Sequence, residues 1–301
     1  MDSEALLTFL TVHRAGGITR AADELGRTQP AISRRLALLE AELGVPLFER
    51  TREGTVLSQA GDVLVPYAEK VNALLSDAAE AVDEFLSDKA GPVSLAVVGT
   101  LAGASLGTVL KAFSASCPLA DLSLRTATSD EVSEQVRQGV VAIGLRYFDD
   151  RSPDLETVLV GSEKLVVVCA PMHPLAGKKV KSLRDLEHEH WLSFPNHFER
   201  RDASTENLFA QFLVRGVPSV DWSPVDSLTA QKRLAEAGYG LGFLTVGSVE
   251  EELQAGLLSS ISVTDLDAGN PIFAVVRKKG FLSSATRELL ALLKTGFGSE
   301  E

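Results

Sequence analysis

Cysteine is nearly absent: Cys117 and Cys169 are the only two in 301 residues. Two thiols cannot make a disulfide framework or a four-thiolate zinc site. The opening stretch, MDSEALLTFLTVHRAGG, lacks the positive charge that begins a signal peptide and carries acids instead, so a cytoplasmic location is expected. Walker A sequences are missing as well. No charged residue occurs from 90 to 110, a run of 21 positions. A membrane span needs about 20 mainly apolar residues. This run instead carries Pro92, Ser94, Thr100, Ser105, Thr108 and four glycines, and reads as a buried strand followed by a helix. No membrane partner is expected.

What is present is ordinary in proportion. Apolar residues make up 45% and charged residues 23%, which excludes a mostly disordered chain. The length fits two or three domains at about 100–200 residues each. Net charge is −12, which argues against nucleic acid until its distribution is seen. Residues 1–58 hold 7 Arg, no Lys and 8 acids, for a net of −1. Residues 27–35 hold three arginines and no acid. A small basic surface on an acidic body is enough for local phosphate contact.

Three helices are expected in the first 45 residues. Leu6, Phe9 and Leu10 give Ala5–Val12 an amphipathic face, which Gly16-Gly17 ends. A short helix follows over Thr19–Leu25 with Thr19 as N-cap, broken by Gly26. Thr28 caps the third helix, which tolerates Pro30 in its first turn and runs to Leu43. Its inner stripe is Ile32, Leu36, Leu39 and Leu43. Its outer face is Pro30, Ser33, Arg34 and Ala37, with Gln29 at the tip. Gln reads adenine edges, Arg reads guanine or holds phosphate, and Ser donates to phosphate. Ala22, Gly26 and Ile32 fall at the offsets a helix-turn-helix needs for close contact, a tight turn and a locked second helix. The competing reading is a generic three-helix core with exposed arginines.

Phe48–Arg50 and Thr55–Leu57 read as short strands around the Gly-containing turn Thr51–Gly54, with Arg50 and Arg52 in the hairpin. Beside a recognition helix such a hairpin is a wing, whose arginines reach the minor groove or backbone. Alternatively it is an ordinary hairpin with a solvated arginine pair.

The run AADELGRTQPAISRRLALLEAELGVPLFERT, residues 21–51, resembles the winged helix-turn-helix of LysR-type transcriptional regulators. The Ala-Ala pair, Gln-Pro-Ala-x-Ser-Arg, Leu-Glu-x-x-Leu-Gly and Leu-Phe-x-Arg carry the resemblance. It implies that Gln29, Pro30, Ser33 and Arg34 lie in the major groove, with Arg27 and Thr28 just ahead of them. Arg27 departs from the family, which has an apolar turn residue there; it reads as an extra phosphate contact or as simply exposed.

Ser58 can cap a long helix over 59–88. Leu64, Ala68, Val71, Leu75, Ala78, Val82 and Phe85 repeat every 3.5 residues, the pattern of a coiled-coil seam. The alternative is an amphipathic helix lying on its own domain. Pro66 can kink its start, and Ala90-Gly91-Pro92 reads as a linker.

From there strand and helix patterns alternate, which argues α/β structure with largely parallel sheets. Strands fit 93–98, 121–127, 141–146, 165–170, 191–194, 220–225, 241–245, 257–263 and 271–277. Helices fit 101–115, 129–138, 203–215, 227–237, 246–255 and 283–295. Residues 91–296 are similar to the effector-binding domain of the same family, which is similar in fold to periplasmic binding proteins. The resemblance implies two subdomains, the chain crossing near 161 and returning near 268, with a ligand in the cleft between.

The expected strand ends cluster hydroxyls. The first ends at Gly99-Thr100, the second at Thr126-Ala-Thr128-Ser129 and the third at Arg146, while Phe194, Asn196 and Asp226 occupy matching ends in the second subdomain. Ligands in open α/β sheets bind at carboxyl ends of strands, and helix N-termini favour anions. The expectation is a small organic anion, held by Thr100, Thr126, Thr128 and Asn196 and neutralised by Arg146. The bland readings are an Arg146 salt bridge to Asp149 or Asp150 and helix capping by the threonines.

Enzyme signatures are weak. Gly103-Ala-Ser105-Leu-Gly107 matches G-x-S-x-G, but the preceding strand is expected to end near Gly99, four residues early. His188-Glu-His190, with His173 and His197 nearby, suggests metal, yet exposed loop histidines fit better. Gly238–Gly242 precedes a strand and is no dinucleotide fingerprint.

The resulting expectation is α+β overall: a winged helix-turn-helix over 1–58, a coiled-coil linker helix over 59–90, and a two-subdomain effector domain over 91–301. Subdomain one takes 91–160 and 269–301, and subdomain two 161–268. Function is regulated transcription: the partners are double-stranded DNA, a small-molecule effector and a second copy, with a homotetramer implied by resemblance. No catalytic residue, metal or cofactor is expected. The alternatives are a ligand-independent DNA binder and an α/β enzyme with an appended dimerisation module.

Overall fold

The computed structural model describes residues 1–51, 54–86, 91–195 and 203–297. They divide into two compact units: Met1–Leu86 with residues 137–140 and 279–281, and the remainder.

In the first unit, α1 spans Ser3–Ala15, α2 Ile18–Glu24 and α3 Gln29–Leu43. Asp2 caps α1 by accepting the Ala5 N–H at 2.7 Å. Gly16, at φ 65°, ends that helix in the left-handed region where glycine has no Cβ clash. The N-cap of α2 is Gly17 rather than Thr19, because the turn from Gly16 already places Ile18 in helical register. Gly26, at φ 60°, makes the turn toward α3. Leu6, Phe9, Ala21, Ala22, Ile32, Leu36 and Leu39 close one core, while Leu43 at the end of the stripe is exposed.

β1 (Phe48–Thr51) and β2 (Gly54–Leu57) pair antiparallel, with Phe48 opposite Leu57 and Arg50 opposite Thr55. Leu47 and the Phe48 ring join the helical core, the latter 5.4 Å from Phe9. α4 runs unbroken from Gln59 to Leu86 with Pro66 inside it. Ser58 accepts the Gly61 N–H and donates to Pro46 O.

The seam expected on α4 is only partly free. Ala68 is fully buried and Leu64 packs beside it in the unit's own core. Both therefore leave the seam, because the first turns of α4 lie on the domain they leave. Val71, Leu75, Ala78 and Val82 are exposed, as are Val63, Tyr67 and Leu74. The exposed stripe is rotated toward 67, 71, 74 and 78. The side chain of Phe85 lies outside the described residues.

The second unit holds β3 (Pro92–Val98), α5 (Ala104–Ser116), β4 (Asp121–Ala127), α6 (Ser129–Arg137), β5 (Ile143–Tyr147), β6 (Leu155–Cys169), β7 (Lys179–Val180), β8 (Trp191–Ser193), α7 (Ala203–Leu213), β9 (Trp222–Pro224), α8 (Leu228–Glu236), β10 (Leu241–Thr245), α9 (Val246–Gln254), β11 (Ser259–Val263), β12 (Gly269–Arg277) and α10 (Ser284–Gly296). One strand path runs β4-β3-β5-β12-β6-β10-β8-β9.

Two lobes share this path. One core gathers β3, β5, α5 and α10 through Val97, Leu106, Phe113, Ile143 and Leu289. The other gathers around Trp191, Phe212 and Leu241, with a flank at Leu192, Leu244 and Val249. β6 passes from the first core, at Val160, to the second, at Leu165 and Val167. β12 returns beside it, and their register shifts between Ile272 and Phe273, opposite Gly161 and Leu159.

The sheet is mixed rather than largely parallel. β3 is parallel to β4 and β5, and β8 to β9 and β10. The crossing strands are antiparallel: β12 to β5 and β6, and β6 to β10 and β11. β12, returning from the second lobe, runs between β5 and β6 and is antiparallel to both.

Candidate nucleic-acid interface and effector cleft

The outer face of α3 is accessible. Gln29, Pro30 and Arg34 are exposed, Ser33 is half-buried, and Thr28 caps the helix without a side-chain hydrogen bond. The first-turn N–H groups and the dipole thus present a positive pole next to exposed polar side chains. Arg34 has no ion-pair partner among the described residues. Its neighbour Arg35 turns the other way and bonds Glu4, which also lies 3.5 Å from Arg27. The Arg35 hydrogen bond holds the Glu4 carboxyl below its ordinary pKa. Arg27 is therefore partly matched by an acid of α1, while Arg34 is left to the solvent.

Glu40, the acid of the Leu-Glu-x-x-Leu-Gly motif, fixes the wing to this helix, a role its place in the motif did not indicate. Its Oε1 accepts from the N–H of Leu47 at 2.7 Å and of Phe48 at 3.3 Å. Arg50 stands on β1, but its side chain and the whole of Arg52 lie outside the described residues.

In the second unit a cleft of about 570 Å³ opens at the carboxyl ends of β3 and β4. Thr100, Thr126 and Thr128 line one wall, Phe194 and Asp226 the other. Five expected residues thus meet around one space. Asn196 and His197 lie outside the described residues.

Two threonines are already engaged. Thr128 donates through N–H and Oγ to Glu131 Oε2, at 3.0 and 2.9 Å, as a helix cap. Thr100 donates to Tyr147 Oη at 3.1 Å, and Tyr147 donates to Glu163 Oε2 at 2.7 Å. Burial first, then the Glu163 charge, raises the Tyr147 pKa well above its ordinary value. Glu131 and the Tyr147–Glu163 pair were not anticipated. Thr128-x-x-Glu131 is a legible capping box; Tyr147 and Glu163 meet only through the strand pairing.

Arg146 is not part of the cleft. It is 8% exposed, with Nη1 2.9 Å from Asp150 Oδ2 and also bonded to Ser133. Asp130 stands 3.6 Å from Nη2. On β5 its side chain faces α6, and the two acids meet its charge. Burial pushes the Asp150 carboxyl up, but hydrogen bonds from Ser133 and Ser152 and the Arg146 charge outweigh it and hold the pKa low. The ionisable groups on the described cleft wall are Glu131 and Asp226. Arg146, the charge expected to neutralise an anion, is not among them.

The remaining signatures resolve into structure. Ser105 sits in the first turn of α5, separated from β3 by a 3-10 turn at Gly99–Leu101, so no strand-to-helix elbow holds it. His190 lies between Asp221 (2.8 Å) and Ser223 (3.0 Å), whereas His188 is almost fully exposed and His173 approaches Glu189. Among the described residues no helix is long and apolar enough to cross a membrane.

Comparison with known proteins covers both units. Residues 3–62 match the family model of the bacterial regulatory helix-turn-helix protein, lysR family. Residues 87–298 match that of the LysR substrate binding domain. The HTH-type transcriptional regulator TcbR of Pseudomonas sp. (strain P51) is 31% identical over 79% of this chain and 80% of its own. The crystal structure of CbnR, a LysR family transcriptional regulator, is 26% identical and superposes with a TM-score of 0.71 over 99% of this chain and all of that one. Full-length CbnR complexed with its target DNA gives a TM-score of 0.68 at 26% identity, over 98% of this chain and 99% of that one.

Proposed function

This chain belongs to the LysR family of DNA-binding transcriptional regulators with an effector-binding substrate domain, and from that premise we propose which residues do the work. Gln29, Pro30, Ser33 and Arg34 enter the major groove, with Thr28 and the α3 N-terminus on phosphate. Arg27 contributes at the edge, and Arg50 and Arg52 reach the flanking backbone or minor groove. The observation that carries this reading is Arg34, which is exposed and without an ion-pair partner among the described residues, on a helix whose N-cap Thr28 makes no side-chain hydrogen bond. An effector occupies the cleft between the lobes, against Thr100, Thr126, Thr128, Phe194, Asn196 and Asp226, and biases the lobes between arrangements. Two chains pair along the exposed stripe of α4, bringing two recognition helices to adjacent half-sites, and dimers pair into tetramers. The protein acts in the cytoplasm and without catalysis.

The test is Arg34→Ala, measured by fluorescence anisotropy on duplexes selected from a random pool by the wild type. Affinity is expected to fall by about 1–3 kcal/mol, with discrimination relaxed at one position. A folded variant that binds those duplexes as the wild type does overturns the assignment of α3 to the groove.

A further inference from the structure

We propose that a second compartment, next to the effector cleft, binds a small zwitterion of the amino-acid class. The compartment has a volume of about 330 Å³ and shares only Gly99, Thr100 and Leu228 with the cleft. One wall is the start of α5, where Gly103 is the N-cap and no side chain bonds the first-turn N–H groups. The other wall brings Lys232 from α8 and Glu251 and Glu252 from α9.

Glu252 is the decisive residue. It is 7% exposed. Its Oε1 is 2.7 Å from Lys232 Nζ, which also donates to Ser248 O at 3.1 Å. Its Oε2 is buried and has no hydrogen-bond partner among the described residues. A buried carboxylate oxygen without a donor is costly, and a ligand N–H or O–H reaching it from the compartment that Glu252 borders would relieve that cost. Across the compartment, the α5 terminus favours a negative group.

The two walls therefore ask for opposite charges. A bare anion meets Glu251 and Glu252. A bare cation meets the α5 pole and Lys232. A molecule with an ammonium toward Glu252 Oε2 and a carboxylate toward the first turn of α5 satisfies both. The volume sits at the low end of the roughly 300–1,000 Å³ of small-molecule sites, which suits an amino acid. The walls come from different lobes, and they approach closely: a Cβ on Gly103 would lie 3.1 Å from Gly247 O. A ligand bridging them thus bears on how the lobes are held; that consequence, unlike the binding itself, rests on the effector-responsive reading above.

The experiment uses the full-length protein, with the common amino acids as probes in thermal-shift assays followed by calorimetry. Any amino acid that binds is then compared with its decarboxylated amine and its deaminated acid. At least one amino acid is expected to bind, and both analogues to bind about tenfold more weakly or worse, since each loses one charged contact. Glu252→Gln keeps the acceptor for Lys232 but removes the charge at Oε2, and Ala104→Asp puts a carboxylate on an exposed first-turn position where the ligand's own would sit. Both are expected to weaken binding at least about tenfold, while Asp226→Asn in the cleft leaves it unchanged. If Glu252→Gln does not fold, Ala104→Asp decides alone, since an acid at that position suits the helix start. The proposal fails if no amino acid binds, or if the variants bind like the wild type. It also fails if only Asp226→Asn abolishes binding, which would place the ligand in the cleft and leave the effector reading intact. DNA binding by the same preparation reports separately on the regulator reading.

Discussion

Glu40 Oε1 accepts the backbone N–H of Leu47 at 2.7 Å, seven residues on. Glu40 is in the last turn of the recognition helix, and Leu47 opens the wing. Leu47 is 1% exposed, so its N–H has little access to water. One carboxylate therefore sets the position of the wing relative to the helix, the relation a winged DNA reader depends on.

Glu40→Ala is expected to cost about 1–3 kcal/mol of stability, because it leaves a buried donor unmatched. Glu40→Gln, which keeps the acceptor, is expected to recover much of it. Urea unfolding of both variants checks this. A Glu40→Ala midpoint equal to the wild type would show that the wing is held by Phe48 and Leu47 packing alone.

The rotated stripe on α4 separates two kinds of substitution. Leu74 is 62% exposed, whereas Ala68 is fully buried in the unit's own core. Leu74→Asp is expected to give folded monomers by light scattering, with normal helicity by circular dichroism. Ala68→Asp is expected to unfold the first unit, because a charge enters an apolar core. If Leu74→Asp keeps the wild-type mass, the stripe is not the pairing surface.

The Arg146–Asp150 pair has a pH signature. The folded-state pKa of Asp150 is depressed, so the unfolded chain binds its proton more readily. The pair's contribution is complete above the ordinary carboxylate range and is lost as pH falls through the depressed value. Asp150→Asn is expected to lower Tm near neutral pH and to flatten the acid limb of the Tm-versus-pH curve. An acid limb parallel to that of the wild type would refute the assignment.

Tyr147 links Thr100, at the cleft, to Glu163 on the crossing strand β6. Tyr147→Phe removes one donor to a carboxylate. The expected loss is about 1.5–3 kcal/mol, the value of a hydrogen bond to a charged group. Thermal unfolding measures it, and affinity for selected duplexes is expected to stay unchanged, since Tyr147 belongs to the second unit.

Sequence by itself determined the local order of this protein. Ile32, Leu36 and Leu39 at helical spacing, with Gly26 and Gly44 as stops, were enough to define α3 and its polar outer face. β4 and β10 were readable residue for residue, β4 because Leu122 and Leu124 alternate with polar residues and β10 because its apolar run is bounded by turn residues. The hydroxyl-rich strand ends also led to five residues that line one cleft. Tertiary structure alone decided the partners. Arg146 looked like an anion ligand at a strand end, but the side-chain direction on β5 sends it to Ser133 and Asp150. Leu64 and Ala68 continued an unbroken heptad, yet packing of α4 on its own domain half-buried the first and buried the second. Periodicity records which residues share a face and not what that face meets. Parallel and antiparallel neighbours likewise looked alike, because strand direction depends on how the chain returns between lobes. Glu252 carried no signal at all: a buried carboxylate with one oxygen paired and one not arises only when α8, α9 and α5 come together.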